Sequence, residues 1–186
     1  MAALIKLLGG PEVFIRRLDY LHTSGLVDIG NEPVFLTVFL YHYAGRPALS
    51  SLRAHNYISS SFNASTNGLP GNDDSGAMGA FQAFIMMGLF PNPGQNVYFI
   101  TVPFFKAVSI RNDITGKTAT VRVLNFNPDL KNAYIQSAKL NGQPYTKSWI
   151  SHELLTEGWT LELILGDKES DWGTSMKDFP PSISAG

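Results

Sequence analysis

Two short segments place carboxylates and amides directly ahead of stretches that read as helices. The first is Gly30-Asn31-Glu32-Pro33, and the second is Gly68-Leu69-Pro70-Gly71-Asn72-Asp73-Asp74-Ser75-Gly76. At a helix start, free backbone N–H groups and the positive end of the helix dipole favour an ionised carboxylate. Such a group suits a general base that activates water. In inverting glycoside hydrolysis that base faces a separate acid across a gap of about 6.5–9.5 Å, which leaves room for the water. Alternatively, Asn and Asp oxygens together with Glu32 can ligate a hard cation such as Ca²⁺, although no spacing here matches an EF-hand loop. The competing reading is structural: Asp and Asn cap helices, Pro takes the first turn and Gly makes the turn. One cap needs one carboxylate, so adjacent Asp73 and Asp74 leave a charge unexplained. Gly71 and Gly76 also free the backbone to approach a ligand closely. Spacing alone leaves both readings open.

Other chemistry is sparse. The histidines are His22, His42, His55 and His152, none at a metal-ligand spacing from another and none with a Ser or Cys nucleophile motif. His42, between Tyr41 and Tyr43 in an apolar run, reads as a core histidine with its hydrogen bonds satisfied. His22 falls near a helix C-terminus, where partial positive charge is favourable. Trp149, Trp159 and Trp172 lie in the second half of the chain; aromatic rings can stack on sugars, but core packing is the expected role of the first two. No phosphate-binding or dinucleotide-binding glycine pattern occurs. Asn63-Ala64-Ser65 fits the N-glycosylation pattern, which matters only in a secreted chain and is taken here as accidental.

The elements that must position these residues change period partway along. Val13, Phe14, Leu18 and Leu21 recur at helical spacing after Pro11. A second helix is expected from Pro33 through Val34–Tyr43, apolar almost all round and therefore buried on several sides. A third follows Arg46-Pro47 and carries Leu49, Leu52, Ile58 and Phe62; a fourth spans about 75–88, with Met78, Phe81, Phe84 and Ile85 inward. Pro91-Asn92-Pro93-Gly94 then breaks the chain. Beyond it Ala119, Val121 and Val123 alternate with polar residues, as do Leu161, Leu163 and Leu165, and Asn141-Gly142 is a hairpin signal. The reading is antiparallel β with five or six strands, ending in a polar tail after Gly166. Helices followed by strands make α+β.

Composition bounds the rest. The 186 residues are 44% hydrophobic, enough for a core, but only 16% charged, against roughly 25% in an ordinary soluble domain. Fourteen Lys and Arg against 15 Asp and Glu leave a net charge of −1. That excludes the basic surplus nucleic-acid binding needs, and the apolar content excludes an acidic disordered tail. With no cysteine there is neither a disulfide framework nor a thiolate metal site. No stretch approaches the roughly 18 apolar residues of a membrane span. The first eight residues are too short for a signal peptide and carry Lys6. An all-round apolar helix needs more neighbours than this chain supplies, which together with the low charge suggests faces meant to be covered.

Taken in order, Gly30-Asn31-Glu32-Pro33, Leu40-Tyr41-His42-Tyr43-Ala44-Gly45-Arg46-Pro47, Gly68 through Met78, and Gly88-Leu89-Phe90-Pro91 resemble family 92 of the glycoside hydrolases. These are calcium-dependent α-mannosidases, mostly exo-acting and often specific for α-1,2 linkages. The resemblance runs from about residue 10 to 166 and implies the last helices of an (α/α)6 barrel (1–92), an antiparallel C-terminal unit (93–168) and the tail (169–186). It implies that Asp74 is the general base, with Asp73 or Asn72 supporting. Asn31, Glu32, Gly71 and Asn72 would line the sugar subsite, and Asn31 and Glu32 would help place calcium. Where the family often has Ser and then His or Gln after Asn-Glu-Pro, Val34-Phe35-Leu36 stand here; where it often has Trp-Tyr, Phe81-Gln82 stand. The family's acid is a Glu in an upstream segment not found in this sequence.

The expected function is therefore hydrolysis of terminal α-linked mannose from N-glycans or oligosaccharides, with inversion and with calcium. The expected partners are a mannose-containing glycan and the missing N-terminal part of the enzyme, and the chain alone is expected to be inactive. Secretion would require a signal peptide upstream. A mannose-binding module without catalysis, or a non-functional remnant, is the rival reading.

Overall fold

In the computed structural model, residues 1–129 and 133–183 are described. Proline placement sets the helix starts. Helix α2 (Pro11–Thr23) has Pro at its first turn, Glu12 beside it, and Phe14 and Leu18 buried. Helix α3 (Pro47–Ser61) opens the same way, and α4 spans Ala77–Met87 with Met78, Phe81 and Ile85 buried. A short α1 (Ala2–Leu7), not expected from spacing, buries only Ile5.

The apolar run expected to be an α-helix instead winds as a 13-residue 3₁₀ helix, Glu32–Ala44, closed by left-handed Gly45. Such windings are rarely longer than about four residues, because their hydrogen bonds are poorer. Packing supports this one. With three residues per turn, Phe35, Val38, Tyr41 and Ala44 form one row, and all four are buried. Phe35 stacks on Phe81 at 4.0 Å, and Phe39 stacks on Phe90 at 4.2 Å and on Phe99 at 5.6 Å. Tyr41 O–H and Arg53 both donate to Asp19, at 2.9 and 3.0 Å, tying the 3₁₀ helix and α3 to α2.

Helix α3 corrects a second expectation: Leu52 is exposed, while Ser50, Ser51, Ala54, His55 and Ile58 face inward. Ser51 and His55 bond the segment just beyond β2. The Val102 amide donates to Ser51 Oγ at 3.2 Å, and His55 Nε2–H donates to the Val102 carbonyl at 2.6 Å. His42 does the same one strand residue pair earlier, with Nε2–H to the Ile100 carbonyl at 3.0 Å.

Strands β1 (Leu89–Pro91), β2 (Tyr98–Ile100) and β7 (Trp149–Ile150) form a small antiparallel sheet between two cores. Leu89 pairs with Ile100 and both enter the β core; Phe90 pairs with Phe99 and both enter the helical core. The expected division at residue 92 falls inside this hairpin. The larger sheet runs β3 (Ala107–Arg111), β4 (Thr118–Leu124), β8 (Thr160–Gly166), β5 (Tyr134–Leu140), β6 (Gln143–Tyr145). It is not antiparallel throughout, because β4 and β8 pair in parallel. A two-residue period fixes which face is buried and is blind to strand direction. Asn141-Gly142 makes the expected hairpin between β5 and β6.

The segment after Gly166, expected as a polar tail, packs back on the body. Trp172 Nε1–H donates to the Tyr145 carbonyl at 2.9 Å, and buried Asp178 accepts from Thr146 Oγ at 2.6 Å.

Full burial pushes the His42 imidazole down to about 4. Its Nε2 lies 3.0 Å from the Ile100 carbonyl and its Nδ1 2.9 Å from Ser50 Oγ and 3.2 Å from the Phe39 carbonyl, and burial keeps the ring neutral. Because the folded value lies below the ordinary 6.5, the unfolded chain takes up the proton first as pH falls. Stability is complete above about pH 6.5 and declines toward about pH 4, by about 3 kcal/mol from this residue. Urea unfolding across that window should show the decline, and His42→Gln should flatten it; an equally steep decline in the variant would contradict the assignment.

Candidate functional site

The first loop is shaped by a residue that spacing did not single out. Asp28 Oδ1 accepts the Gly30 amide at 2.9 Å and its carbonyl accepts the Asn31 amide at 3.1 Å, an Asx turn. The signal, Asp two residues before Gly, is present in the sequence but common. The turn delivers Asn31 in extended conformation at the start of the 3₁₀ helix. Its side chain makes no cap and is exposed, and Glu32 follows, half-buried in the first turn.

The second loop resolves the two adjacent aspartates. Asp73 is the cap: its Oδ1 accepts the Gly79 amide at 2.9 Å, and its carbonyl accepts the Ala77 amide at 2.6 Å. Asp74 is exposed and makes no hydrogen bond or ion pair among the described residues. It sits in the left-handed region at φ 41°, followed by Ser75 at 63° and Gly76 at 93°. A left-handed run is costly for residues with a Cβ, least so for Asp and Asn. Here the run lifts Asp74 away from the helix it precedes, leaving its carboxylate to solvent. Asn72 is likewise exposed.

These loops, 40 residues apart in sequence, touch through glycines. A Cβ on Gly71 would overlap the Gly30 carbonyl, and one on Gly30 would lie 2.8 Å from the Pro70 carbonyl oxygen. The structure therefore brings the two loops into backbone contact at Gly30 and Pro70-Gly71, the residues directly ahead of Asn31-Glu32 and of Asn72-Asp73-Asp74. Chemically this offers an unpartnered carboxylate beside a second loop carrying an amide and a carboxylate.

Calcium requires six to eight oxygen donors, several of them carboxylates. Among the described residues no group of three or more His, Asp or Glu converges. A calcium ion held here would need oxygens besides the carboxylates of these loops.

The histidines lie elsewhere. His22 stands between Tyr57, 2.8 Å from its hydroxyl, and the Thr37 carbonyl, and burial pushes its imidazole down. His55 stacks on Phe104 at 4.1 Å and is pushed down by burial too. Trp149 packs against the helical core and Trp159 against the β core, as expected of them.

Residues 1–167 match the model of the glycosyl hydrolase family 92 catalytic domain. The whole chain is 64% identical to an uncharacterized secreted glycosidase of Arthroderma benhamiae, of which it covers 24%. It superposes with a TM-score of 0.86 on a family GH92 α-mannosidase from Bacteroides thetaiotaomicron, 30% identical, covering 94% of this chain and 24% of that one. A family GH92 inverting mannosidase from the same bacterium gives TM-score 0.86 at 30% identity, covering 96% and 27%. The chain thus spans about a quarter of the length of these relatives.

The glycine contact makes a direct prediction. Gly71→Ala must force the two loops apart, at about 1–3 kcal/mol of unfolding free energy for an overpacked site. Denaturant unfolding of Gly71→Ala against the parent chain measures this, and equal midpoints would show that the loops do not touch.

Proposed function

The chain belongs to glycosyl hydrolase family 92, and from that we propose that it is part of a secreted α-mannosidase, to which it contributes the general base. The observation that carries this reading is the contact between the two loops, with Asp74 exposed and without a hydrogen bond or ion pair among the described residues. In the proposed reaction Asp74 takes a proton from a water that attacks the anomeric carbon of a terminal α-linked mannose, and the configuration inverts. The substrate class is mannose at the non-reducing end of N-glycans or oligosaccharides, α-1,2-linked. Asp73 holds Asp74 in place, and Asn31, Glu32, Gly71 and Asn72 line the subsite. Asn31 and Glu32 supply some of the oxygens of a calcium site completed by residues outside the 186, and the acid that protonates the leaving oxygen also lies outside them.

Two features support the larger body. Leu7, Tyr20 and Leu26 are 84%, 66% and 63% exposed, a costly apolar surface for a domain that stands alone. The relatives are about four times as long. Secretion is supported by the name of the Arthroderma relative, and no helix among the described residues is long and apolar enough to cross a membrane.

Kinetics of the complete polypeptide on an aryl α-mannoside test the assignment. Asp74→Asn should lower kcat by about 10²–10⁴-fold, the usual worth of a general base. Asp73→Ala should lower kcat as well, and Asp73→Asn, whose amide oxygen can accept the same Gly79 N–H, should recover most of that loss. Asp73→Asn as inactive as Asp74→Asn would transfer the base role to Asp73. The isolated 186 residues should show no turnover with or without calcium; turnover abolished by Asp74→Asn would refute their inactivity.

A further inference from the structure

We propose that Asn63 carries an N-linked glycan. Asn63-Ala64-Ser65 is the one Asn-X-Ser/Thr triplet in the 186 residues. It was set aside on sequence grounds, and the fold gives it a different weight. Residues 63–67 are all exposed, a continuous solvent-facing stretch just past the end of α3. Asn67, equally exposed, has Leu69 two residues on and lacks the hydroxyl. Asn92, hydrogen-bonded to Tyr43 in the turn between β1 and β2, has Gly94 there. Exposure and the Asn-X-Ser pattern coincide at Asn63 alone.

The transfer occurs on the nascent chain, so the folded structure decides whether the product is tolerated. Buried asparagine would force a bulky polar glycan into a core. Here the backbone of the turn is closed from within: the Asn63 amide donates to the Gly68 carbonyl at 3.0 Å, and the Gly68 amide to the Ser65 carbonyl at 3.1 Å. The Asn63 side chain takes part through its oxygen, which accepts the Ser65 amide at 3.0 Å. Glycosylation leaves that oxygen in place and consumes an N–H of Nδ2, which has no partner among the described residues. The turn therefore survives the modification. In the step itself, Nδ2 bonds to the anomeric carbon of the first N-acetylglucosamine of a lipid-pyrophosphate-linked oligosaccharide. The bond from that carbon to the pyrophosphate oxygen breaks, the lipid pyrophosphate leaves with the electron pair, and Nδ2 loses one proton.

This inference rests on the secreted reading, and the experiment separates the two. The complete polypeptide is expressed in a fungal host behind the host's own leader, so that entry into the secretory pathway is supplied. Protein from the medium is digested, and the Asn63 peptide is mapped by mass spectrometry before and after peptide-N-glycosidase in heavy-oxygen water. The expected result is that most of this peptide carries a glycan and becomes ¹⁸O-labelled Asp on release. Ser65→Ala should remove the glycan while Asn63 remains. Secreted protein whose Asn63 peptide is unmodified would overturn the proposal, even if Ser65→Ala fails to fold. Failure of the natural leader to direct secretion, tested in a parallel culture, would refute the secreted reading and leave the mapped occupancy of Asn63 to stand.

Discussion

The β1–β2 hairpin is the wall on which both halves of the molecule are built. Alternation along a strand sends successive side chains to opposite faces, and this short hairpin uses it to the full. Leu89 and Ile100 close the β core on one face, and Phe90 and Phe99 close the helical core on the other. Side-chain bonds from the helices then lock the end of β2 and the segment after it, with His42 on the Ile100 carbonyl and Ser51 and His55 on the backbone of Val102. Burial lowers the affinity of each ring for a proton.

The same wall explains how a 13-residue 3₁₀ helix persists. Its residues Phe35, Val38, Tyr41 and Ala44 present one buried row, and Phe39 lies against the rings of Phe90 and Phe99. Aromatic stacking and burial outweigh the poorer backbone geometry. The segment is anchored at its far end by Gly45 and at its near end by the Asp28 turn. Its start is therefore fixed in space, and with it Asn31 and Glu32.

In the candidate site, adjacent like charges are given separate tasks. Asp73 folds back on the first turn of α4, where backbone N–H groups have no partner of their own. Asp74 is turned outward by three consecutive left-handed residues. The glycine pair then sets the spacing of the two loops by direct backbone contact, a stiffer constraint than any side-chain bond. Membership of family 92 and the likeness to two mannosidases give this arrangement its chemical context.

Much of this was legible in the sequence. Proline at first turns marked the helices, the switch to a period of two marked the strands, and Asn141-Gly142 marked a hairpin. Asp73 and Asp74 stood out because one helix needs one cap, and His42 was readable as a core residue from its apolar neighbours. Four things were not legible, each for a physical reason. The 3₁₀ winding depends on what packs around a run apolar on every side, so periodicity has no purchase on it. The parallel pairing of β4 with β8 depends on the path of the chain, and burial patterns look the same in either direction. The inward face of α3 follows bonds to Val102, whereas hydrophobicity alone pointed to Leu52. Finally, the sequence determined which residue types precede the helices, but only the tertiary structure decided that Gly30 and Gly71 meet. Contact between loops 40 residues apart is a property of the packed elements beneath them.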